Sequence, residues 1–115
     1  MVNPHRGEVA LVIDGQRHVL KLTLGALAEL ETALGADSLV ALVERFEGGA
    51  FSARDVLALL LAGLHGGGHA MEAGALLSAD IEGGPAEAAR CAGLLLARAF
   101  TVPDPASGSA SGAAA

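Results

Sequence analysis

The sequence predicts an α+β domain, mainly α. An N-terminal β-hairpin packs on a bundle of four to five short helices, and a disordered C-terminal tail follows. Three observations carry this. Two apolar runs flank Asp14-Gly15, a pair suited to a tight hairpin turn because its central positions need positive φ. From Leu24 onward, leucines recur at helical spacing and glycines interrupt them. After Phe100 the composition turns to Pro, Ser, Gly and Ala, with too little apolar bulk to pack. One domain is therefore expected over residues 1–100, with a flexible tail over 101–115.

The elements follow in chain order. In "EVALVIDGQRHVLKLTL", Leu20, Leu22 and Leu24 alternate with Val19, Lys21 and Thr23, so one hairpin face is buried. A lone two-stranded hairpin is marginal in water, so helices must cover that face. Thr23 is the expected N-cap of the first helix and Gly35 its C-terminal glycine, with Leu24, Leu27, Leu30 and Leu34 on one stripe. A second helix starts near Asp37 or Ser38, carries Leu39, Leu42, Val43 and Phe46, and ends at Gly48-Gly49. Ser52 and Asp55 form a capping-box pattern at the start of a third. There Val56, Leu57, Leu59, Leu60, Leu61 and Leu64 cover most of the circumference, which predicts a buried central helix. A short fourth helix, weakened by Gly74, turns Met71, Leu76 and Leu77 inward. Pro85 opens the last helix, which runs to about Phe100 with Cys91, Ala92, Leu95 and Leu96 facing in.

Composition narrows the function classes. The chain has 115 residues, 52% of them hydrophobic and 17% charged, which is a globular balance. It has three phenylalanines and no Trp or Tyr, so the core is light and help from oligomerisation or a partner is expected. The net charge of -6 and the absence of a basic cluster argue against nucleic acid. A single cysteine, Cys91, forms no intramolecular disulfide and fits a reducing cytoplasm. Its apolar neighbours suggest a small buried hydrophobe rather than a nucleophile. "MVNPHRGEVA" lacks the apolar segment of a signal peptide. The apolar run Val56 to Leu64 falls well short of the roughly 20 residues that span a membrane. No Ser-His-Asp or other catalytic arrangement is legible, so no enzymatic role and no cofactor are expected.

The stretch "LHGGGHA" is the one place that suggests a ligand. His65 and His69 stand at helical i,i+4 spacing, which puts two imidazoles on one face, and Glu72 could add an oxygen. Three intervening glycines make a continuous helix there costly, at about 1 kcal/mol each relative to Ala. A metalloprotease pattern also needs Glu beside the first His, where Gly66 stands. A phosphate cradle would want a Lys and a Ser or Thr. The spacing favours a helix stop: Gly66 caps the third helix, and Gly67 and Gly68 turn the chain back onto it. Three glycines exceed what a cap needs, so a hinge is also expected, with Gly67→Ala and Gly68→Ala weakening partner binding more than folding.

"NPHRGEVALVIDG", "LTLGALAELE" and "RFEGGAFSARDVLALLLAGLHGGGH" together resemble the small tail protein of gene transfer agents, phage-like particles of alphaproteobacteria. The resemblance covers about residues 3 to 100 and is looser over the last helix. It implies a role in building a phage-like tail, as a tail assembly chaperone or a tail-tube protein. Such chaperones bind the tape-measure protein, help recruit the tail tube protein, oligomerise, and leave the finished particle. The family offers no catalytic residues, and its positions here (Arg6, Gly7, Leu24, Gly25, Leu27, Glu29, Leu30, Gly63, Gly66 to Gly68) read as turns, caps and core. The lead expectation is a chaperone holding its client in an apolar helical groove, because a tube wall normally needs more strand than one hairpin. The core or interface is expected to include Leu24, Leu27, Leu30, Leu57, Leu60, Leu61, Leu64 and Leu95. The alternatives are a structural component of the tail or tube and, lower, a small metal-binding regulator using His65 and His69.

Overall fold

The computed structural model describes residues 7–35 and 39–100. Its elements are β1 (Val9–Ile13), β2 (Gln16–Leu20), α1 (Leu24–Leu34), α2 (Leu39–Gly48), α3 (Ala53–Gly66), α4 (Ala73–Ser78) and α5 (Gly84–Phe100). The expected starting residues of α2, Asp37 and Ser38, and the expected tail over 101–115 lie outside the described residues.

The hairpin forms where the sequence places it. Asp14 and Gly15 take φ of 52° and 78°, the mirror-image turn that matches strand twist. The antiparallel register pairs Val9 with Leu20, Leu11 with His18 and Ile13 with Gln16. Val9, Leu11, Ile13 and Leu20 are buried on one face. Both edges of the hairpin are tied to the chain's own backbone. The Asp14 N–H donates to Asp80 O at 2.7 Å and the Glu82 N–H to Val12 O at 3.1 Å, beside an isolated bridge between Ile13 and Ile81. Just past β2, the Lys21 N–H donates to Gly63 O at 2.9 Å.

The α3 helix is central, as its all-round leucine pattern predicts, and it packs against α1, α4, α5 and β2. Leu59, Leu60, Ala62, Gly63 and Leu64 are buried along it, and Leu57 and Leu61 pack partly buried on the same core. From α5, Ala88, Cys91, Ala92, Leu95 and Leu96 complete that core. Ser52 and Asp55 make the reciprocal capping box, with the Asp55 N–H on Ser52 Oγ at 3.1 Å and the Ser52 N–H on Asp55 Oδ2 at 2.9 Å.

Three leucines depart from expectation. Leu24, expected on the inward stripe, is 84% exposed. Thr23 caps α1 through its Oγ1, and with Leu24 as the first helical residue the inward positions become Ala26 and Leu30. Leu27 is half-buried beside that stripe, and Leu34 packs on the core's margin. The leucine face of the hairpin therefore ends at Leu22, because the chain changes from strand to helix period at Thr23. Leu77 is 71% exposed rather than inward. The α4 helix is only six residues long and buries Leu76 alone.

Candidate functional site

The junction at the end of α3 brings the hairpin, α1 and α5 together, and glycine makes it possible. A Cβ added at Gly66 would lie 1.9 Å from Lys21 O, and one at Gly67 would lie 2.1 Å from Val19 O. At Gly63 it would lie 2.8 Å from Leu95 Cδ1. The end of α3 thus rests directly on the β2 backbone, an approach open only to residues without side chains. Gly66 is the last helical residue, so the expected cap moves along the chain. The Gly68 N–H donates to His65 O at 3.0 Å and the His69 N–H to Leu64 O at 2.8 Å. That is a Schellman stop, and Gly68, with φ of 91° and open space around it, supplies the left-handed residue it needs. A phosphate cradle would need the room that the β2 backbone already fills. At Gly67 a methyl group would strike the Val19 carbonyl, so Gly67→Ala perturbs folding first and does not isolate the expected hinge.

The two histidines of the run part company. His65 Nδ1 lies 2.7 Å from Glu29 Oε2 on α1, and its Nε2 lies 2.6 Å from Met71 O beyond the turn. Both partners accept, so the doubly protonated ring satisfies both bonds, and Glu29 first, then Met71 O, raise its pKa above 6.5. His69 turns elsewhere. Its ring meets His18 of β2 edge to face, with centroids 4.7 Å apart and planes at 70°. The expected His65–His69 pair is therefore divided between different partners. Among the described residues no group of three or more His, Cys, Asp or Glu is placed to hold a metal ion. Sequence reading missed His18, which lies 51 positions before His69 and carries no local signal.

Apolar side chains mark the remaining surface. Val40 is 67% exposed, alongside Leu24, Leu77 and a partly exposed Phe100. A groove of about 370 Å³ runs between α3, α4 and the start of α5, lined by Val56, Leu57, Leu60, Leu76 and Leu77 among others. A second, of about 470 Å³, lies between α2 and α5 against Val43, Phe46, Leu96 and Phe100. Cys91 is buried, and desolvation pushes its thiol up to about 11, so it carries little thiolate. Among the described residues no helix is long and apolar enough to cross a membrane.

The described residues make a small, mainly helical α+β domain, with backbone bonds tying both sides of its hairpin to the rest of the chain and apolar side chains left outside. The chain belongs to the family described as phage tail tube protein, GTA-gp10, which it matches over residues 6–102. That span takes in every element from β1 to α5. No curated protein and no solved structure matches the chain.

Proposed function

We propose that this chain is a structural or tube-associated component of a phage-like tail, of the kind a gene transfer agent builds. The observation that carries the reading is the family match, which covers the whole described domain rather than one motif. Its partners are other tail proteins, the tube protein and the tape-measure protein first, together with further copies of itself. No catalytic step and no cofactor belong to this role. The test is quantitative mass spectrometry of purified particles. The chain is expected at a level comparable with the other tail proteins, and its absence from intact particles would overturn the reading.

One observation favours a second reading, the tail assembly chaperone. The described residues hold a single two-stranded sheet, and backbone bonds from Asp14, Glu82 and Lys21 engage both of its sides. A β-built tube wall would want free strand edges. On this reading the chain acts in the cytoplasm, holding the tape-measure protein against apolar surface such as the α3–α4 groove. Co-expression should then keep the tape-measure protein soluble, and the finished particle should lack the chain.

A further inference from the structure

The contact between His18 and His69 brings together two imidazoles from distant parts of the chain, edge to face as aromatic rings pack, with centroids 4.7 Å apart. Two imidazole nitrogens bound about 2.0–2.1 Å from one metal ion, and meeting between a right angle and a tetrahedral one, put their ring centroids roughly 4.6–5.3 Å apart. The observed 4.7 Å falls within that range, so the two rings stand at a separation one shared ion requires. Imidazole nitrogen suits Ni²⁺ and Cu²⁺, which stand high in the affinity order of the divalent first-row ions.

The hydrogen bonding agrees. His18 Nδ1 lies 2.9 Å from Gln16 O, a carbonyl that can only accept, so Nδ1 carries the proton. That leaves the Nε2 lone pair of His18 unshared, the tautomer and backing seen for metal-bound histidine. Among the described residues the His69 ring meets His18, whereas both nitrogens of His65 are occupied by Glu29 and Met71 O. His18 and His69 line one solvent-open cavity of about 570 Å³, with room for water ligands. Glu72 lines it too and adds negative charge.

We propose that His18 and His69 form a two-imidazole site for a divalent transition metal, Ni²⁺ or Cu²⁺, which ties the hairpin to the loop after α3. Two protein ligands come from the chain and solvent completes the shell. Because the rings meet edge to face, binding requires them to turn about their side-chain torsions until both lone pairs meet at the ion. Bound metal then links β2 to the segment between α3 and α4, and stabilises the fold by binding only the folded state.

Calorimetric titration of the untagged chain with NiCl₂ and CuCl₂ tests this. One saturable site per chain is expected for at least one of the two ions. His18→Gln and His69→Gln should each weaken it by about tenfold or more, while His5→Gln and His65→Gln leave it in place. The metal should raise the melting temperature of the wild type and not of His69→Gln, a loop change that keeps the test valid if His18→Gln folds poorly. No saturable binding of either ion, or binding unchanged in His69→Gln, would overturn the proposal and leave only a ring contact.

Discussion

His65 shows how one side chain can hold three parts of a fold. Its ring joins α3 to Glu29 of α1 and to the carbonyl of Met71 beyond the turn. Because its pKa is raised in the folded state, its contribution is fully present below the ordinary histidine value and is lost as pH rises through the raised one. The ring is about a third exposed, so the gain is that of a surface pair, roughly 0.2–1 kcal/mol. The urea midpoint of the wild type should therefore fall between about pH 6 and about pH 8, and that of His65→Gln should change less over the same window. Equal slopes would show that the imidazolium adds nothing. The sequence singled out His65 as a candidate ligand beside His69, and in the structure its ring nitrogens meet Glu29 and Met71 O. Its partner Glu29 lies 36 positions away, and no local pattern announces such a pairing.

Among the elements, the best-marked ends were the most legible. Thr23, Gly35, Ser52 and Asp55 declare helix boundaries through bonds within a few residues, and those bonds form. Less legible was the rotation of a helix about its axis. The α1 sequence offers a leucine stripe, yet Ala26 and Leu30 face inward, because close approach to α3 at Gly66 favours a small side chain at the contact. Asp55 also does more than its cap predicts. Arg45 on α2 donates to both of its oxygens at 2.9 Å, so one nearly buried carboxylate caps the start of α3 and pins its neighbour. Asp55→Ala is expected to cost about 2–3 kcal/mol, combining a lost cap with the loss of the two bonds from Arg45. Arg45 is the main cause that holds the Asp55 carboxyl below its ordinary value, against the cost of burial. That stability is present above the unfolded carboxylate value and lost as pH falls through the lower folded one. Denaturation from neutral pH into acid should accordingly be less steep for Asp55→Asn than for the wild type.

At the scale of the whole molecule, the end of α3 is where the hairpin joins the helices. Gly66 and Gly67 press on the carbonyls of Lys21 and Val19, and the obstruction is backbone, which cannot swing aside. Gly66→Ala or Gly67→Ala should each destabilise the fold by about 2–3 kcal/mol or more, as overpacking does. Gly68→Ala meets open space and should cost only the left-handed strain, about 1–2 kcal/mol. Thermal melts of the three variants would rank them. A Gly67→Ala protein as stable as the wild type would restore the simple turn. Function is a property of this scale too. The family match spans residues 6–102, so it says more about the role than any single residue does.

By itself the sequence determined what depends on neighbours in the chain. The Asp14-Gly15 turn, the helix caps and the leucine-rich central helix rest on short patterns, to which backbone conformation responds directly, and the family is read from residues 6–102 together. Only the tertiary structure decided which side of α1 is buried, which histidine meets which, and why three glycines stand in a row. Those outcomes depend on contacts between residues far apart in the chain. "LHGGGHA" accordingly holds two glycines that let α3 touch a strand and a third that lets the chain leave the helix. His65 and His69, four positions apart, are committed to opposite neighbours.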